Sequence, residues 1–129
     1  MNNYTLVRPE HLNHHGFLFG GVMLKWVDEF AWLAASKEFR GCKLVTVAMD
    51  EIRFSQQVPL GSILRFSIDF VRQGRTSATY QVVVYSDGPG QDQEKRVFAN
   101  RITFVRVDEQ GRKKELPVRK EFIPCAENV

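Results

Sequence analysis

From Ile63 to Val71 the chain alternates strictly: Leu64, Phe66, Ile68 and Phe70 fall on one side, Arg65, Ser67 and Asp69 on the other. A repeat of two is the mark of a strand with one buried face. "SATYQVVVYS" (77–86) and "RVFANRITFVRV" (96–107) read as further strands, as does "KLVTVAMDEIRF" (43–54), and "YTLV" (4–7) as a short one. Pro59 and Gly61 mark one turn, "RQGRT" and "DGPGQDQ" two others, and "DEQGRKKELP" is charged and turn-like. Upstream the period changes. Residues 9–21 read as a loop holding all three His, and residues 21–39 as a helix that is apolar nearly all round. Such a helix is expected to be buried on most sides, with Gly41 as its stop. One long helix and several long strands, with no helices to serve as crossovers, predict an α+β domain in which an antiparallel sheet wraps the helix.

Composition narrows this without changing it. At 129 residues and 43% hydrophobic, the chain is expected to be a single domain, 1–129, with a sizeable core. No apolar run has the length of a membrane helix, and "MNNYTLVRPEH" does not read as a signal peptide. Cys42 and Cys125 suit a reducing cytosol better than a disulfide framework. The net charge of +3, concentrated in the second half, is too small to indicate a nucleic-acid binder. It could serve a compact anion or be only a solvated surface.

Asp28 is the unusual residue, a carboxylate inside the most hydrophobic segment. On a helical wheel Lys25 and Glu29 share a polar stripe, and Asp28 leans away from it toward the apolar side, with small Ala31 and Ala35 leaving room. An ionised group there needs a partner or a cleft. Pairing with Lys25 is one reading and a functional cleft is the other. Gly20–Gly21 sits at the helix start, where free N–H groups and the helix dipole favour negative charge. Gly21 and Asp28 are about 10 Å apart along the axis. One small substrate would meet both only by lying along the helix, or if a second chain supplied one of the groups.

The residues Asn13, Gly16, Gly20, Gly21, Val22, Lys25, Asp28 and Glu29 form an N-x-x-G-x-x-x-G-G-V-x-x-K-x-x-D-E pattern. This resembles the hotdog-fold acyl-CoA thioesterases, specifically the branch with bacterial short- and medium-chain hydrolases and the brain-type cytosolic enzyme. "VTVAMDEIRFSQQVPLGS", "RQGRTSATYQVVVYS" and "VDEQGRKKELP" are similar to further segments of that family, so the likeness covers roughly residues 12–117. It implies a hotdog fold of about five strands and a cytoplasmic hydrolase of acyl-CoA that uses no metal or organic cofactor. It implies no nucleic-acid or membrane partner, and a homodimer assembling into a tetramer or hexamer. Asp28 would be general base or nucleophile, and Asn13 would act from the partner subunit. The Gly21 N–H would stabilise the oxyanion. Gly20, Phe54, Gly74, Arg75, Thr76 and Ser77 would contact substrate and CoA. A non-catalytic acyl-CoA sensor and a thioesterase for acyl-carrier-protein or aromatic CoA esters are the alternatives. Met49, Ser62, Asn100 and Arg101 depart from the family wording.

The other candidates have plainer readings. His11, His14 and His15 lack the spacing of a metal site. Ser77 has no nucleophile elbow around it. Asp50–Glu51, taken as part of a strand, would face opposite sides. Arg112, Lys113 and Lys114 read as a solvated face.

Overall fold

A computed structural model gives the structure of the protein and describes residues 1–123. Cys125, considered above, lies outside them. The elements are β1 (Asn2–Leu6), a 3-10 turn (Pro9–His11), α1 (Gly20–Glu38), β2 (Lys43–Met49), β3 (Ile63–Gln73), β4 (Ser77–Asp87) and β5 (Lys95–Val107). The five strands form one sheet in the order β1-β3-β4-β5-β2, every pair antiparallel. The alternation read in β3 is the packing. Leu64, Phe66 and Ile68 are buried, together with Tyr80, Val82 and Val84 of β4 and Ile102 and Phe104 of β5. Against this face lie Met23, Val27, Ala31, Ala34 and Ala35 of α1. This is the hotdog fold, a curled antiparallel sheet around one long helix.

Two readings need correction. The helix is not covered on most sides. The sheet buries one face, while Trp32 and Leu33 remain 41% and 37% exposed. Trp32 adjoins the edge strand β2 through a hydrogen bond to the Leu44 carbonyl, and Val45 and Val47 of that strand are also exposed, at 36% and 54%. An apolar flank beside an unpaired strand edge is a surface fitted to a partner.

The strand expected over 43–54 also ends early, at Met49. The cause lies on β5. The buried Asn100 side chain accepts from the Asp50 N–H (3.0 Å) and donates to the carbonyls of Asp50 (3.1 Å) and Glu51 (3.3 Å). The Asp50 N–H keeps a last backbone bond to the Arg101 carbonyl (3.0 Å), and beyond it the side-chain amide takes over from the ladder as residues 50–57 leave the sheet. Asp50 and Glu51 are therefore loop residues, with Glu51 paired to Arg53 at the surface.

Candidate active site

The carboxylate of Asp28 is half-buried, and its partner is not Lys25. Its Oδ1 accepts a hydrogen bond from Thr46 Oγ1 at 2.6 Å, across the gap between α1 and β2. Helix geometry aims Asp28 away from the polar stripe, and the strand's two-residue repeat turns Thr46 to meet it. One Asp28 oxygen is thereby fixed and the other left free of protein partners among the described residues. The pair opens into a depression of about 260 Å³ lined by Lys25, Asp28, Glu29, Trp32, Leu44 and Thr46.

A second depression, of about 270 Å³, lies at the start of α1 and contains Asn13, Gly20 and Phe54. Asn13 is set by its loop. Its Oδ1 accepts from the N–H groups of His15 (2.9 Å) and Phe17 (3.2 Å). With the oxygen engaged, only the amide NH2 is available to a ligand, so Asn13 can act there only as a donor. The N–H groups of Gly20 and Gly21 open the helix and have no protein acceptor among the described residues. Gly20 lies under Phe54, since a Cβ on it would sit 3.0 Å from the ring. Phe54 is a loop residue rather than the end of a strand, and it stacks on Phe98 of β5 with ring centroids 5.6 Å apart. Gly21 is exposed and does not line this depression.

The candidate residues of one chain therefore fall in two separate groups. Asp28 with Thr46 forms one, and Asn13 with Gly20 and Phe54 the other. The hairpin residues Gly74, Arg75, Thr76 and Ser77 line neither. Gly74 N–H bonds the Ser77 carbonyl at 2.8 Å, and Arg75 pairs with Glu115 at 2.7 Å in an exposed contact. Among the described residues no three His, Cys, Asp or Glu side chains gather as a metal site would require.

No role for Thr46 is legible in the sequence, and nothing local marks it as the carboxylate's partner. Equally unmarked is a polar cluster at the far end of α1. There the buried Glu38 accepts from Tyr80 Oη (2.7 Å), Arg119 Nε (3.0 Å) and Nη2 (2.6 Å), and the Phe122 N–H (3.2 Å). Burial alone would push the Glu38 carboxyl up. The bonds from Arg119, Tyr80 and Phe122 and the Arg119 charge outweigh it and hold the group below its ordinary range. Burial, followed by the bond to Glu38, pushes the Tyr80 hydroxyl well up.

Residues 15–92 match the family model described as the thioesterase superfamily. The chain belongs to the thioesterase superfamily. This superfamily member is 32% identical over 122 residues to mouse acyl-coenzyme A thioesterase 11, which covers 95% of this chain and 20% of that protein. The chain spans only a fifth to a third of the length of such mammalian relatives. Among solved structures it is similar to a hexameric broad-specificity acyl-coenzyme A thioesterase, with a TM-score of 0.81, 26% identity, and 89% of this chain and 79% of that one covered. It is also similar to the Staphylococcus aureus acyl-CoA hydrolase in complex with butyryl coenzyme A, coenzyme A and coenzyme A disulfide, with a TM-score of 0.80, 27% identity, and 91% and 71% covered. That hydrolase has been solved as alanine variants at an Asp, an Asn and a Thr. Its Asp follows its Asn by fifteen residues, the spacing of Asn13 and Asp28 here. Its Thr follows the Asp by seventeen residues, where Thr46 follows Asp28 by eighteen. Among the described residues no helix is long and apolar enough to cross a membrane.

Proposed function

We propose that this chain hydrolyses acyl-CoA thioesters to a carboxylic acid and CoA, at a site built by two chains. Asp28 and Thr46 come from one and Asn13 with the start of α1 from its partner. The single observation that carries this is the division of the polar groups. A carboxylate held by Thr46 lies in one depression, and the unpartnered Gly20 N–H lies with the Asn13 amide in the other. The exposed flank of Trp32, Leu33, Val45 and Val47 supports a twofold pairing along β2. Of further assembly into a tetramer or hexamer, the hexameric structures that this chain resembles support the hexamer. We place the protein in the cytoplasm, as its cytosolic relatives are named.

Thr46 fixes Asp28 Oδ1, so the second oxygen faces the thioester. It takes a proton from water as the water oxygen attacks the carbonyl carbon, or it attacks that carbon itself. The charge that builds on the carbonyl oxygen is met by the Gly20 N–H and the Asn13 amide, with the Gly21 N–H at the exposed rim beside them. The C–S bond then breaks, and the CoA thiolate, a good leaving group, takes up a proton; on the second route a water then cleaves the acyl–Asp28 anhydride, which releases the acid and restores the carboxylate. Gly74, Arg75, Thr76 and Ser77 serve as CoA contacts, reached across chains because they line neither depression of their own chain.

Thiol release from acyl-CoA tests the reaction. Asp28→Asn is expected to abolish it while keeping the side-chain shape. Inactive Asp28→Ala and Asn13→Ala chains, refolded together, test the shared site. A mixed twofold dimer has one intact site of two, and half the dimers are mixed, so activity should return to roughly a quarter of wild type. Heterodimers that form without recovering activity would place both residues in one chain's site.

A further inference from the structure

We propose that Trp32 is the end wall of the acyl site and restricts this protein to short acyl groups, about four to six carbons. The inference rests on the thioesterase reading above and names the substrate class of the same site. Asp28 and Trp32 are one turn apart on a single face of α1, about 6 Å along the axis. Thr46 and Leu44 are two residues apart on β2, about 6.6 Å along the strand. The structure joins them as two rungs. Thr46 Oγ1 reaches Asp28, and Trp32 Nε1 donates to the Leu44 carbonyl at 3.1 Å. The second rung lays the indole across the gap between helix and strand. One end of the depression is therefore bordered by a large ring tied to backbone, which the partner covers in the pairing proposed above, while the other end is bordered by the exposed Lys25.

The two arms of a thioester differ in a way that assigns these ends. The CoA arm is long, polar and charged, and it must continue into solvent past any chain it meets. Only the acyl arm has a terminus, so only it can stop against a wall. The wall is also the apolar end, made of the indole and the buried Leu44, as an alkyl group requires. With the roughly 6 Å helix rise from Asp28 to Trp32 as the scale of the pocket, about four carbon–carbon bonds of about 1.5 Å, zigzagged, reach from a carbonyl carbon to the ring. A longer chain would have to displace the indole, break its bond to Leu44 and leave apolar surface in water.

The experiment compares wild type, Trp32→Ala and Trp32→Phe on acetyl-, butanoyl-, hexanoyl-, octanoyl- and decanoyl-CoA by thiol release. Calorimetric binding of the non-hydrolysable S-butyl- and S-decyl-CoA thioethers runs in parallel. Wild type should lose at least about tenfold in kcat/KM between hexanoyl- and decanoyl-CoA, as expected when a methylene meets a fixed pocket wall. Trp32→Ala should raise the decanoyl-to-butanoyl ratio by about tenfold or more, with Trp32→Phe between. The thioether affinities should change in the same direction. Because Trp32 also lies on the pairing flank, light scattering checks the assembly of each variant, and if Trp32→Ala is poorly folded or dissociated, Trp32→Leu gives the same comparison. A length profile that stays within twofold between wild type and variant overturns the inference and leaves the thioesterase reading standing. No thiol release from any acyl-CoA, with S-butyl-CoA still preferred over S-decyl-CoA in a Trp32-dependent way, overturns the hydrolysis and keeps the wall.

Discussion

Arg119→Ala should lower the folding stability by about 3 kcal/mol at pH 7, and that loss should fade in acid. Glu38 is only 8% exposed and takes four hydrogen bonds, two of them from Arg119. Two charge-assisted bonds at about 1.5 kcal/mol each set the expected value. Leaving a buried carboxylate without its counter-charge sets the upper limit at about 5 kcal/mol. Lifting of residues 117–123, which would admit water to Glu38, reduces the cost toward the sum of the bonds. The carboxyl is held below its ordinary value of 4.5 in the folded chain. A group depressed in this way stabilises the fold above its unfolded value, and the stabilisation disappears as the pH falls through the folded value. The gap between wild type and Arg119→Ala should thus be constant from about pH 6 to 8 and narrow below about pH 4. Urea unfolding at one fixed protein concentration measures it, since association adds its own concentration-dependent term. A double-mutant cycle with Glu38→Gln isolates the pair and should return a coupling of about 1–3 kcal/mol. A gap under about 0.5 kcal/mol at pH 7, or one as wide at pH 3 as at pH 7, would refute this account of the cluster.

Three further outcomes follow from the site. Thr46→Val keeps the β-branched shape and removes the only protein hydrogen bond to Asp28 seen among the described residues, so kcat/KM should fall about tenfold or more with stability within about 0.5 kcal/mol. Arg75→Ala should raise KM more than it lowers kcat, because a CoA phosphate lies far from the bond broken; an unchanged KM would remove Arg75 from the site. Asn100→Ala strips three hydrogen bonds from Asp50 and Glu51 and should loosen the segment that carries Phe54 over Gly20. Its stability loss should be about 1–3 kcal/mol, with KM rising, as read by thermal unfolding and steady-state kinetics.

The sequence by itself determined what repeats locally. The alternation of β3 placed Leu64, Phe66 and Ile68 on the core face, and the helix of Gly20–Glu38 was legible to within a residue. Both follow because burial acts on periodic faces, which neighbouring residues already display. The suspicion attached to Asp28 was legible for the same reason, as a charge on the wrong side of a wheel. What answers that charge was not. Thr46 is eighteen residues away on a strand, with no feature to distinguish it from Thr5 or Thr103 until α1 packs on the sheet. The stop at Met49 depended on Asn100, fifty residues downstream, reaching back to Asp50. Glu38 carries no mark in the sequence, and its buried carboxylate is met by Tyr80 and Arg119, which arrive from 42 and 81 residues away. A side-chain hydrogen bond between distant segments has no period and leaves no trace in the local pattern. Only the closure of the sheet around the helix brings its two ends together.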